Sequence, residues 1–319
     1  MFRRFVGGLA ALLLSHSIAW AQFQQPTAGD STSLGELGPV RQFRVGVEIT
    51  ASGGACRGLI ATVPVPFDWP EQEVRIAEED LSPEVAKFKY RMIDGTVKQM
   101  LVSIPILPAG HTARALVTFE VRKRPLSPPA DTSTLQAPKK LDRDLQKYVG
   151  ASPYIETRHR EIRELAKELA AGHAPDWELV ETIYDEVRKR VEYKNGELKG
   201  ALAALRDGNG DCEELTSLFI ALCRVNGIPA RTVWVHQHCY PEFYLEDGEG
   251  NGAWYPCQAA GTRAFGEMEE QRPIMQKGDN FRTPEQPRDA KRYITEFAKG
   301  LPTPGGGRPQ IRFVREMVD

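Results

Sequence analysis

GDCEELTSLFIALCRVNGIPAR, Gly210 to Arg231, carries a whole helix with a cysteine at its first position. The turn-forming run Asp207-Gly208-Asn209-Gly210 precedes it, Asp211 is a good N-cap, and Glu214 stands three residues later at capping-box spacing. Leu215, Leu218, Phe219 and Leu222 fall on one helical face, and Asn226-Gly227 followed by Ile228-Pro229 stops the helix. Backbone N–H groups and the helix dipole favour negative charge at Cys212, so its thiol is expected to ionise more readily than an ordinary one. Cys223 lies on the apolar face and reads as a core residue.

Downstream, ARTVWV (230–235) and HCYPEFYL (238–245) read as strands, a turn-rich loop of Asp, Gly and Asn follows, and AWYPCQ (253–258) returns. A hairpin centred on Gly248 would set His238 opposite Gln258 and Cys239 opposite Cys257, with the two pairs on opposite faces. That register offers an imidazole with an amide beside it, and a cross-strand Cys239–Cys257 disulfide; a slip of one residue removes both. The chain has five cysteines, an odd number, so one is expected to stay free, and the disulfide would leave Cys212 as that thiol. His236 and His238 share a strand side and with Cys212 make a weak zinc set, since no CxxC pair accompanies them. Glu242, on the same side as His238, reads as a solvated strand residue in preference to an extension of the histidine's hydrogen-bond line, and Arg231 as the partner of a carboxylate in preference to a cleft-lining residue.

Upstream, Arg3 and Arg4, a short apolar run and Ala19-Trp20-Ala21 make residues 1–21 a signal peptide, with a flexible lead-in at 22–38. No other window is apolar enough to span a bilayer. Six short alternating runs, from FRVGVEI (43–49) to RALVTFEV (114–121), argue for an all-β, sandwich-like region at 39–124. Residues 125–141, rich in Pro, Ser and Thr, read as a linker to a region 142–319. In that region RHREIRELAKELAAG (158–172) and DWELVETIYDEVRKRVEY (176–193) have helical spacing, with a third short helix around Leu202 to Leu205. The C-terminal RDAKRYITEFAKG (288–300) reads as a helix, followed by a Pro/Gly linker and a last strand. The net charge of −2 leaves no electrostatic footprint for nucleic acid.

At Gly210 to Arg231 the chain resembles the transglutaminase-like superfamily of papain-fold cysteine enzymes. The Gly-x-Cys start, the helix and the Gly-Ile-Pro-x-Arg turn match, HCYPEFYL looks like the family's His motif, and WYPCQ sits where the family has its third motif. The resemblance implies an α+β fold: a papain-like transglutaminase core, with the Cys-bearing helix packed on an antiparallel sheet, preceded by the all-β sandwich-like domain. It implies Cys212 as nucleophile, His238 as general base and acid, and Gln258 in the third position, where the family usually has Asp. An amide can orient an imidazole but cannot stabilise the imidazolium by charge; a thiolate–imidazolium pair tolerates that better than a serine enzyme would. The backbone N–H of Cys212 is a ready oxyanion donor, with Trp177 and Tyr193 as weaker candidates for a second. Two functional classes follow. One is a secreted or periplasmic thiol enzyme acting on protein or peptide amide bonds, hydrolytically or by acyl transfer, without cofactor or metal. The other is an inactive binding or scaffolding module that docks a cell-envelope component through the β-region.

Overall fold

The computed structural model describes residues 33–172, 176–304 and 306–318. The signal peptide and most of the lead-in expected from the sequence lie outside these residues. In chain order the first strands are β1 (Ser33–Leu34), β2 (Arg41–Thr50), β3 (Cys56–Val65), β4 (Gln72–Leu81), β5 (Lys87–Ile93), β6 (Val97–Leu107), β7 (Thr112–Lys123) and β8 (Leu126–Ser127). The helical stretch follows with α1 (Arg143–Gln146), α2 (Arg160–Ala170), α3 (Asp176–Arg190), β9 (Glu192–Tyr193), α4 (Ala201–Asp207), β10 (Asn209–Gly210) and α5 (Cys212–Val225). The chain ends with β11 (Ala230–Val235), β12 (His238–Glu246), β13 (Gly252–Pro256), β14 (Ile274–Lys277), β15 (Phe281–Thr283), β16 (Gln286–Lys291), β17 (Phe297–Pro302) and β18 (Gln310–Met317).

All six alternating runs of the N-terminal region fall in β2 to β7. In β2 the period of two buries Phe43, Val45, Val47 and Ile49, and in β7 it buries Ala113, Ala115, Val117, Phe119 and Val121. Those faces meet β3 and β6 across a shared apolar core, so two sheets pack face to face. One is ordered β18-β2-β7-β4; the other runs β13-β12-β11-β14-β6-β3-β17, with β5 also on β6. The second sheet is continuous because β14 pairs with β11 on one side and, at Gln276↔Val97, touches β6 on the other. A separate core lies between α2, α3, α4 and α5 and the inner face of β12 and β13, built on Phe219, Leu222, Phe243, Leu245 and Tyr255.

The C-terminal helix expected at 288–300 is not formed: β16 and β17 occupy it. The three-and-four spacing of its apolar residues lost to the open edge of β3, which β17 covers in antiparallel register from Phe297↔Thr62 to Pro302↔Cys56. The last strand does form, and β18 runs along β2 with Phe313 opposite Val47. The Pro-rich stretch after Lys123 is held by backbone pairs, Leu126 with Met268 and Gln136 with Glu246, and Leu135 is buried in the helical core.

Two buried ionic clusters tie the site-bearing elements down. At the end of α5, Arg224 donates to the Ala230 carbonyl (2.9 and 2.7 Å), to the Gly150 carbonyl (2.9 Å) and to both oxygens of Asp279 (2.9 and 2.8 Å). Under the β11–β12 pair, Lys277 donates to Glu71 (2.6 Å) and Glu242 (2.9 Å), and Glu242 also pairs with Arg231, whose guanidinium lies 3.9 Å from the centre of the Trp254 ring. The Arg231 pairing agrees with the sequence reading. Glu242 does not: at 2% exposure it is no solvated strand residue, and only its two cations make such burial tolerable. Removing one partner of a buried pair strands the other charge. Asp279→Ala is therefore expected to cost about 3–5 kcal/mol, read from the urea midpoint at unchanged m-value; a loss below about 1 kcal/mol would show the Arg224 cluster to be dispensable.

Candidate active site

The start of α5 is built as its sequence predicts. Asp211 accepts the Glu213 N–H at 2.8 Å, and the Glu214 carboxylate reaches back to the Asp211 N–H at 3.2 Å, closing a capping box. Its other oxygen accepts the N–H groups of Lys199 (2.9 Å) and Gly200 (3.4 Å). Burial pushes the Glu214 carboxyl up, but these N–H donors and Asp211 outweigh it and leave it below its usual range. The folded-back Glu214 explains Gly210: a Cβ there would lie 2.4 Å from Glu214 Cβ. The glycine two residues before the cysteine is therefore a requirement of close packing. β10 pairs in parallel with β9, placing Tyr193 beside Gly210.

β11 turns into β12 through two residues, His236 and Gln237, with Val235 opposite His238. Gln237 holds φ at 57°, an uncommon conformation for a residue with a side chain. His238 thus opens β12, half-buried, with its ring against the N-terminus of α5. The β12–β13 register differs from the expected one. Glu246 pairs with Gly252 and Glu242 with Pro256, a shift of two residues. Asp247 is the reason: its carboxylate accepts the N–H groups of Glu249 and Asn251, both at 2.9 Å, and orders a five-residue loop centred on Glu249 instead of Gly248.

A shift of two keeps every side chain on its face while moving each directly opposed pair onto a diagonal. The amide–imidazole contact survives, because the long Gln258 side chain spans the diagonal and its Oε1 lies 2.9 Å from His238 Nε2. The disulfide does not form. Cys257 donates its N–H to Pro241 (3.0 Å), so Cys239 is its diagonal neighbour, at a spacing of roughly 7–8 Å that exceeds disulfide reach. All five cysteines are free thiols. The sulfur of Cys239 instead approaches Thr216 Oγ1 at 3.8 Å, over the face of α5 that carries Cys212 one turn earlier.

Cys212, His238 and Gln258 are thus brought together. With Nε2 held by Gln258, Nδ1 is the ring nitrogen left for Cys212. The Cys212 thiol is lowered to about 4: the Cys239 thiol donates to it, burial opposes, and His238 and the Cys239 N–H donate further. Burial works against a charged His238, yet its bonds to Cys212 and Gln258 outweigh that and leave its pKa raised. Burial, then its bond to the Cys212 sulfur and the charge there, pushes Cys239 well up, so it remains a neutral donor. Trp177 is packed in the core against Phe243, Tyr255 and Phe265. Tyr193 is 53% exposed beside the cysteine, and its hydroxyl lies 3.1 Å from Asn195 Oδ1. Its pKa is raised, by desolvation and then by the Cys212 charge. His236 lies edge-on to Phe43 with centroids 5.2 Å apart, turned to the N-terminal sheets. Cys239 and the loop holding Gln258 are parts of the site that sequence reasoning missed. The only signal for Cys239 was its place beside the histidine on the alternate face, which pointed equally well to a disulfide.

Residues 163–259 match the family model of the transglutaminase-like superfamily, a family of papain-like cysteine enzymes, so the resemblance seen in the Cys and His motifs holds. No curated protein matches the chain. Among solved structures it is similar to a candidate cysteine protease from Cytophaga hutchinsonii, at 17% identity over 89% of this chain and 93% of that one, with a TM-score of 0.56. At that identity the likeness is one of fold. A candidate protease from Parabacteroides distasonis (13% identity, 70% of this chain, 47% of that one, TM-score 0.30) and the periplasmic domain of TgpA from Pseudomonas aeruginosa bound to ethylmercury (16%, 69%, 89%, 0.32) align more loosely.

Because the Cys212 pKa is depressed, thiolate persists as pH falls and is lost only on passing about 4. Cys212 is therefore expected to alkylate with iodoacetamide at full rate at mildly acidic pH, where an ordinary thiol with a pKa of about 8.5 is almost wholly protonated. Peptide mass spectrometry gives the rate at each pH. The same digest, made in denaturant without reductant, should show Cys239 and Cys257 both alkylated; finding them linked would restore the disulfide.

Proposed function

We propose that this chain is an exported thiol enzyme that opens amide bonds of proteins or peptides by Cys–His nucleophilic catalysis. The observation that carries the reading is one line of contacts: Cys212 at the first position of α5, His238 beside it, and Gln258 Oε1 2.9 Å from the far ring nitrogen. Export rests on the leader-like residues 1–21.

In the resting pair, Cys212 is a thiolate and His238 an imidazolium. The sulfur attacks the amide carbonyl carbon, and the oxygen takes up negative charge facing the Cys212 N–H at the helix start. His238 gives its proton to the leaving nitrogen, the C–N bond breaks, and the acyl group remains on sulfur. Water deprotonated by His238 then releases the acid; an amine in place of water would give a new amide. Gln258 Oε1 accepts the hydrogen bond from Nε2–H throughout and holds the ring plane. We assign the second oxyanion donor to Tyr193, exposed beside the nucleophile, whose hydroxyl would turn from Asn195 Oδ1 to the oxyanion.

The test is turnover of unfolded protein and peptide substrates by the mature chain. Cys212→Ala should abolish it, and His238→Ala should abolish both turnover and the acid-range alkylation of Cys212. Tyr193→Phe should lower kcat about 10²-fold while leaving alkylation unchanged. The pH profile should fall on the acid side as Cys212 protonates near 4 and on the alkaline side as His238 loses its proton, above the usual histidine value. A wild-type thiol reactive only above about pH 8 would move the assignment to an inert binding module.

A further inference from the structure

The third member of the site is neutral and swings on three torsions, so its placement depends on what holds its backbone. Two side chains of α3 converge on the Gln258 carbonyl oxygen: Tyr184 Oη donates at 2.9 Å and Arg188 Nη1 at 3.0 Å. Together they use both acceptor positions of that oxygen. Arg188 reaches further along the same loop, from Nη1 to the Ala259 carbonyl at 3.0 Å and from Nη2 to the Gly261 carbonyl at 2.7 Å. The Tyr184 hydroxyl in turn accepts the Ala264 N–H at 3.0 Å, and the Gln258 N–H donates to the Ala264 carbonyl at 2.8 Å. Residues 258–264 are thereby closed into a loop fastened to one face of α3. Tyr184 and Arg188 are four residues apart on that face, with the guanidinium 5.4 Å from the centre of the tyrosine ring.

We propose that Arg188 and Tyr184 are positioning residues, which clamp the 258–264 loop so that the Gln258 amide meets His238 Nε2 and holds the imidazole in the orientation that activates Cys212. The inference rests on the Cys–His reading above. An aspartate in this position would attract the imidazolium by charge over a range of geometries; an amide acts through one directional hydrogen bond, so a loosened backbone costs it more. The planar guanidinium fork spans three carbonyls at once, which a lysine ammonium cannot do from one position.

The experiment measures the pH midpoint of Cys212 alkylation in the mature protein for wild type, Arg188→Met, Arg188→Lys, Tyr184→Phe and Gln258→Ala, with thermal unfolding of each. Arg188→Met is expected to move the midpoint up by about one unit, tenfold in the ionisation constant, in the same direction as Gln258→Ala. The double variant should go no further than the larger single change, because both act on one bond. Arg188→Lys should recover part of the shift. Should Arg188→Met fail to fold, Tyr184→Phe, which removes one hydroxyl, reads the same quantity and should move the midpoint the same way by a smaller amount. An unchanged midpoint in folded Arg188→Met, or in Tyr184→Phe where Arg188→Met does not fold, overturns the proposal, whether or not stability falls. An ordinary midpoint in wild type overturns the Cys–His reading itself, and this inference with it.

Discussion

The first turn of α5 is the constraint on which the site depends. A helix begins with several N–H groups that have no partner within it; the start closed by Asp211 and Glu214 leaves Cys212 at the positive end. Glu214 also fastens the preceding loop through Lys199 and Gly200 and occupies the space that a side chain at position 210 would need. One carboxylate thus fixes the helix start, the loop before it and the glycine of the motif. The buried Arg224–Asp279 cluster fixes the other end of the same helix.

Against this rigid start, the sheet supplies an imidazole from β12 and an amide from just beyond β13. No carboxylate completes the line, so the electrostatic work falls on what surrounds the sulfur: the helix end, the Cys239 thiol and N–H, and His238 itself. Cys239 is buried over α5, while His238, its chain neighbour, is half-buried at the start of β12. The sulfur sits at the N-terminal end of α5, where β12 begins, so an imidazole and a neutral thiol from adjacent strand positions both reach it. The geometry of Gln258 is secured from behind by α3, which links the helical core to the site.

The local part of this arrangement was legible in the sequence. The cap, the helix face, the turn after Val225 and the six alternating N-terminal runs each follow from side-chain chemistry within a few residues, and each appears where expected. Registers and edges were harder. The β12–β13 loop contains two glycines and two residues able to order a turn, and composition alone could not show that Asp247 would choose a five-residue loop over a tighter one. The C-terminal segment carried helical spacing, but the unpaired edge of β3 lies more than 200 residues away in sequence and leaves no trace in its neighbours.

The sequence by itself determined that a cysteine begins a capped helix and that a strand opening on a histidine follows it. These are consequences of short-range rules: a cap needs a side-chain oxygen, a helix end favours an anion, and alternate strand residues share a face. Only the tertiary structure decided that Gln258 reaches the imidazole from a diagonal, that Cys239 serves the thiolate instead of a disulfide, and that the last strands close the N-terminal sheets. Those outcomes depend on distances between segments whose separation along the chain fixes nothing, and they are settled by packing, register and the requirement that every buried polar group find a partner.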